Sequence, residues 1–237
     1  MCTVLFLPDK KKCYFVSLRD ESPLRTPAFI PDIITANKRN YLAPIDSYAG
    51  GTWVGVNDHE DVIILLNGGF KKHERQTNYR KSRGLIVTEL LSSIKPVDDW
   101  HQIDMSNIEP FTLIVWSGSS LYQLIWDGDS KHQINLDSTK AQLWSSSTLY
   151  TPEAKVNRNE IFEAWLMRNP VISYHSVFNL LNSYTENDNG FIMNRNEKVK
   201  TLSYSFLEII PEEIVSYTYY DFVTDSLNSK TMKLLNV

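Results

Sequence analysis

An α+β fold is what this sequence predicts: two packed, mostly antiparallel sheets with helices on the outside. Three observations carry that reading. Strand-like runs come first, helical stretches follow, and strands return at the end. The runs at 62–66 (VIILL) and 111–116 (FTLIVW) are almost continuously apolar, where a strand with one wet face would alternate, so both of their faces are covered. Of 237 residues, 42% are hydrophobic and 12% aromatic, ample material for such a core.

Residues 3–7 (TVLFL) and 13–18 (CYFVSL) form the first strand pair, joined by a turn at Pro8-Asp9-Lys10-Lys11-Lys12. Residues 52–56 (TWVGV) pair with 62–66 around Asn57-Asp58, and Gly50-Gly51 makes the turn before them. Ser82 caps a helix that runs through Leu85, Leu90 and Leu91 and ends before Pro96. Residues 111–116 and 121–126 (LYQLIW) flank Gly118-Ser119-Ser120 as a hairpin. Thr151-Pro152-Glu153 is a strong helix start, with a capping hydroxyl, a proline in the first turn and an acid facing the dipole. That helix carries Ile161, Phe162, Trp165 and Leu166 on one stripe. A further helix spans 174–184 with Val177, Leu180, Leu181 and Tyr184, and strands follow near 201–210 and 213–222, broken by Pro211. No internal repeat, low-complexity segment or Gly/Ser linker divides the chain, so 1–237 is read as one domain.

A net charge of −4, with no basic block longer than Lys10-Lys11-Lys12, points away from nucleic acid. No span approaches the ~18–20 apolar residues that cross a bilayer, and no signal peptide is visible, so a cytoplasmic location is expected. His59, His73, His101, His132 and His175 lie in no HExxH or CxxC context; neither a metal nor a cofactor is expected.

The opening MCTVLFL places Cys2 directly after the initiator methionine. Removal of Met1 frees an α-amine, titrating near ~8, on a residue whose thiol titrates near ~8.5. Nucleophile and base then share one residue. A turn centred near residue 10 sets Cys2 opposite Leu18, beside Arg19-Asp20-Glu21, and Cys13 opposite Leu7, about 17 Å away along the strand. That separation excludes a disulfide. In this register Asp20 orients the ammonium, while Arg19 favours the thiolate or binds an anionic substrate.

Cys2, Arg19-Asp20-Glu21, Arg25, Gly50-Gly51-Thr52-Trp53, Asn67 after IILL, and Ser82-Arg83-Gly84 together resemble the NRDE family. That family is named for an Asn-Arg-Asp-Glu signature and includes the transport and Golgi organisation proteins. Farther on, LWSSSTLYTPEAK is similar to the family's Leu-Ser-Asn segment, with Thr151, Pro152 and Lys155 recurring. The resemblance implies an αββα four-layer sandwich of the N-terminal nucleophile (Ntn) hydrolase type. It also implies Cys2 as nucleophile, Asp20 as the acid near its amine, Asn67 as an oxyanion donor and Arg19 as a substrate or thiolate contact. Ser146 and Trp53 join Arg19 as substrate-binding candidates, although Trp53 also reads as core. Three departures stand out: Leu18 replaces the signature's Asn, Ser146 replaces the Asn of Leu-Ser-Asn, and KTLSYS lacks a family arginine, with only Lys200 nearby. The implied activity is cleavage of a small non-peptide amide through an acyl-enzyme, as in the related penicillin V acylase and bile salt hydrolase. The alternative is a non-catalytic carrier of haem or of a hydrophobic acyl or lipid ligand.

Overall fold

The computed structural model describes residues 3–185 and 188–235. The chain opens with the hairpin β1 (Thr3–Pro8) and β2 (Cys13–Glu21). It then lays down a second sheet as a meander: β3 (Phe29–Ala36), β4 (Arg39–Ile45), β5 (Val54–Asn57) and β6 (Val62–Asn67). Helices α1 (Arg83–Leu91) and α2 (Pro96–Gln102) follow, and the meander resumes with β7 (Phe111–Ser117), β8 (Ser120–Trp126) and β9 (Lys131–Leu136). Strand β10 (Gln142–Ser145) returns to the first sheet before α3 (Pro152–Arg168) and α4 (Tyr174–Ser183). The chain ends with β11 (Asn194–Arg195), β12 (Val199–Ile210), β13 (Ile214–Asp221) and β14 (Ser226–Lys233). The first sheet has the order β10-β1-β2-β12-β13-β14, with β11 beside β12; the second runs from β3 to β9 in sequence. Every pairing is antiparallel.

Alternation along β1 and β2 assigns the layers. Val4, Phe6, Cys13 and Phe15 enter the core between the sheets. Leu5, Leu7, Tyr14, Val16 and Leu18 turn the other way, against Phe162 of α3 and Val177, Leu180 and Leu181 of α4. On the far side, Ile86, Val87, Leu90 and Leu91 of α1 and Trp100 of α2 pack on the second sheet. The architecture is therefore the expected αββα sandwich. Its most apolar strand, β6, is buried along its length because α1 covers one face and the first sheet approaches the other.

Two local expectations need correction. The loop of the first hairpin is 9–12, closed by Asp9 N–H donating to Lys12 O at 2.8 Å, so Thr3 rather than Cys2 faces Leu18, and Cys13 faces Pro8. A shift of one residue exchanges the two faces of a strand, which matters for everything near Arg19. Ser82 occupies the N-cap position of α1 with extended backbone, but its side chain makes no capping bond. At α3, by contrast, Thr151 accepts from Ala154 N–H as the sequence predicts.

Candidate functional site

Cys2 lies outside the described residues, so the site is described from the residues around it. Arg19 and Asp20 are neighbours on β2, and successive strand residues face opposite ways. Arg19 turns between the sheets, where it is 2% exposed. Its guanidinium lies 4.3 Å from the Trp53 ring centroid, and Nη2 donates to Asp46 Oδ2 at 2.7 Å. Asp20 turns toward the helix side. Its Oδ1 accepts from Thr201 Oγ1 at 2.6 Å and its Oδ2 from the Tyr150 hydroxyl at 3.3 Å. The two members of the signature serve different layers.

Asp46, just beyond β4, organises the first of these groups. Besides Arg19 it accepts from Arg25 Nε at 2.8 Å and Nη2 at 3.1 Å, and from the backbone N–H groups of Tyr48 and Ala49. Burial alone would push its carboxyl up. The Arg25 and Ala49 hydrogen bonds and the charges of Arg25 and Arg19 outweigh that and hold it below the usual carboxylate range. The turn after it is shaped by glycine: a Cβ on Gly51 would stand 2.3 Å from the Gly84 carbonyl carbon, so the loop and the first turn of α1 lie backbone to backbone. Thr52 N–H donates to Gly84 O across this contact. The glycine-rich stretch and Ser82-Arg83-Gly84 are thus two halves of one joint, and both contribute to the wall of one cavity.

Asn67 ends β6, and its backbone carbonyl accepts from Ser146 Oγ at 2.9 Å. Ser146 in turn accepts from Thr148 N–H, and Tyr150 N–H donates to Ser146 O. The short turn 146–150 therefore reaches Asn67 at one end and Asp20 at the other. The serine hydroxyl holds the strand end that carries Asn67. Among the described residues none takes a hydrogen bond from the Asn67 side-chain amide, which leaves its NH₂ free to donate.

Asn67 lines two cavities. The larger, about 460 Å³, also has Trp53, Leu65, Arg25, Asp46 and Arg83 in its wall. The smaller, about 260 Å³, is bounded by Ser146, Ser147, Gln123, Thr112, Lys155 and Asn159. Gly68, next in the chain, lines the smaller one with φ of +83°, and a Cβ there would stand 2.3 Å from Ser147 Oγ. Only glycine meets both demands. Of the predicted residues, the structure brings Arg19 to Trp53 and Asn67 to Ser146, and the larger cavity joins Trp53 to Asn67. Asp20 connects through Tyr150 instead.

Sequence reading missed Asp46 and Arg158. Arg158 is fully buried, its guanidinium 4.2 Å from the Tyr150 ring centroid and 4.5 Å from that of Phe191. It donates to Ser145 Oγ, to the carbonyls of Asn189 and Gly190, and to Thr3 Oγ1. A signal was present: Arg158 stands three and four residues before Ile161 and Phe162, on the stripe that packs on the sheet. The other thiol, Cys13, is buried, and burial followed by the charge of Glu60 pushes it up to about 12. Among the described residues no cluster of three or more His, Cys, Asp or Glu side chains could hold a metal, and no helix is long and apolar enough to cross a membrane.

No curated protein matches the chain by sequence. Solved structures do match by fold. Two variants of the conjugated bile acid hydrolase from Clostridium perfringens superpose with TM-scores of 0.60 and 0.61, at 12% and 11% identity, over 100% of this chain and 99% of theirs. The Caenorhabditis elegans N-acylethanolamine-hydrolyzing acid amidase ortholog superposes with a TM-score of 0.62 at 11% identity, over 89% of this chain and 93% of that one. The fold is thus of the Ntn-hydrolase type. The sequence model of the Transport and Golgi organisation 2 family matches residues 1–226, and the chain belongs to that family.

Proposed function

We propose that the protein is a single-domain cysteine Ntn hydrolase that cleaves a small non-peptide amide in the cytoplasm. The observation that carries this reading is Asn67, with an unengaged amide and a pinned backbone, at the junction of two cavities. An amide bond lying there has room for its acyl part on one side and its amine on the other. The Cys2 thiolate, exposed at the N-terminus once Met1 is removed, attacks the carbonyl carbon. The resulting oxyanion takes a hydrogen bond from Asn67, the C–N bond breaks as the amine leaves with a proton from the α-ammonium, and water releases the acid from the thioester. Asp20, fixed by Thr201 and Tyr150, acts on the charge of the Cys2 α-amine, and Arg19 acts on the larger cavity through Trp53 and Asp46, which line it. Ser146 acts through Asn67 as a positioning residue.

Intact mass, electrophile labelling and turnover of an acyl-amide panel test this together. The expected result is a mass lacking Met1, labelling at Cys2, and turnover that falls about 10²–10³-fold in Asn67→Ala while labelling persists. Retained Met1 with haem or acyl-ligand binding that survives Cys2→Ala, and no turnover, would establish the carrier reading instead.

A further inference from the structure

The smaller cavity contains a charge that nothing in its wall answers. Lys155 and Asn159 stand one turn apart on α3, so both reach the same side, and both line the cavity. No aspartate or glutamate among the described residues borders it. Among the described residues the Lys155 ammonium makes neither an ion pair nor a hydrogen bond. Burial lowers the pKa of its ammonium, and the position opposes the helix as well, since the first turn of a helix carries partial positive charge. A second polar group is also unanswered: Ser147 Oγ, in the same wall, is buried with no hydrogen-bond partner among the described residues. The lining also carries the apolar side chains of Leu66, Ile125 and Leu143 beside the uncharged polar ones of Thr112, Gln123 and Ser146. At 260 Å³ the space falls just below the range of about 300–1,000 Å³ that holds drug-sized ligands.

A half-buried cation and an orphaned hydroxyl, set in a chamber of this size whose other lining residues are uncharged, call for one kind of group. We propose that the smaller cavity is a subsite for a short acid, taking a carboxylate on a chain of a few carbons with Lys155 as its counter-ion and Ser147 as a further donor. Joined to the hydrolase reading, on which this last step rests, the substrate is an amide of a short dicarboxylic acid. Its scissile bond lies at Asn67 and its free carboxylate reaches Lys155. The larger cavity then receives the amine portion.

Calorimetric titration of the full chain with glutarate, its diamide and inorganic phosphate tests the subsite. Glutarate should bind about tenfold or more tighter than the diamide, because only the acid offers charge to Lys155. Lys155→Met should remove that preference, and Lys155→Arg should keep part of it. Trinitrobenzenesulfonate labelling of wild-type Lys155, read by peptide mapping, should be slowed by glutarate and unaffected by the diamide; this arm needs no variant to fold. Absence of saturable glutarate binding, equal binding by Lys155→Met, or phosphate binding as tightly as glutarate overturns the proposal. The two readings fail separately. Glutarate binding without turnover of any glutaryl amide keeps the subsite and removes the hydrolase, whereas wild-type turnover of neutral acyl amides without glutarate binding does the reverse.

Discussion

The two cavities that meet at Asn67 are built on opposite electrostatic plans. The larger is rich in charge, yet its charges answer one another. Arg25 binds Asp46, Arg83 lies 3.0 Å and Arg75 3.9 Å from Glu109, and Lys81 is paired with Glu89. Among the described residues the smaller has one charged side chain, Lys155, and no partner for its ammonium. Counting arginines would send an anion to the larger site. Charge balance sends it to the smaller, because a paired guanidinium has already spent its donors on a carboxylate, and displacing that carboxylate strands it. The larger cavity's charges fix shape; the smaller cavity's charge is available.

The strongest way to break this contrast is at Asp46. Asp46→Ala leaves Arg19 buried without its counter-ion, frees Arg25, and uncaps two backbone N–H groups. Removing one partner of a buried pair costs about 3–5 kcal/mol, whereas Lys155→Met, which breaks no contact, should stay within about 0.5 kcal/mol of wild type. Urea unfolding of the two variants checks both; equal losses would dissolve the distinction. Acid loosens the same contact without mutation. The folded-state pKa of Asp46 is lowered, so its stabilising contribution is present at neutral pH and is lost as pH falls through that value. The melting temperature should therefore drop more steeply below about pH 4 in wild type than in Asp46→Asn.

Gly68→Ala attacks the wall of the smaller cavity. The added methyl meets Ser147 Oγ and Thr148 Cγ2 on a backbone with φ of +83°, so the strain is both local and across the contact. A loss of about 2 kcal/mol is expected. Since the residue displaced is Ser147, glutarate binding should weaken in the same variant. Calorimetric binding at wild-type strength would show that the hydroxyl takes no part.

What the sequence made legible follows burial. β6 was readable because both faces are covered and its residues are uniformly apolar; α3 was readable because Thr151, Pro152 and the Ile161–Phe162 stripe agree with one another. β3 and β9 were not read, since each lies at an edge and buries at most one of its side chains, leaving no periodic pattern. In the site, Asn67 and Trp53 stand in short local motifs. Asp46 depends on arginines 27 and 21 residues away in sequence, and Arg158 on Thr3, 155 residues away. Such partners meet only after folding. The hairpin was placed with the correct strands and a register off by one, because the turn was taken to include Pro8, which ends β1 paired with Cys13.

The smallest expected effect is at Ser146, which joins the two halves of the contrast. Its place in the family pattern belongs to an asparagine, and read from sequence alone the serine is a shortened substrate contact. In the fold its hydroxyl donates to Asn67 O and accepts from Thr148 N–H. Ser146→Ala removes both bonds but leaves acceptors and donors near the cavities, where water can reach them, so the cost should be about 1 kcal/mol. The informative readout is turnover. A substrate-contacting serine would raise KM when removed; one that only holds the strand end carrying Asn67 should lower kcat with KM nearly unchanged, because the oxyanion donor is then free to drift from the position where charge develops. Ser146→Asn adds bulk where Ser146 is 1% exposed, and should impair kcat at least as much as alanine. A gain in turnover for that variant would mean that the asparagine of the family pattern fits here after all, and that the serine is the substrate contact.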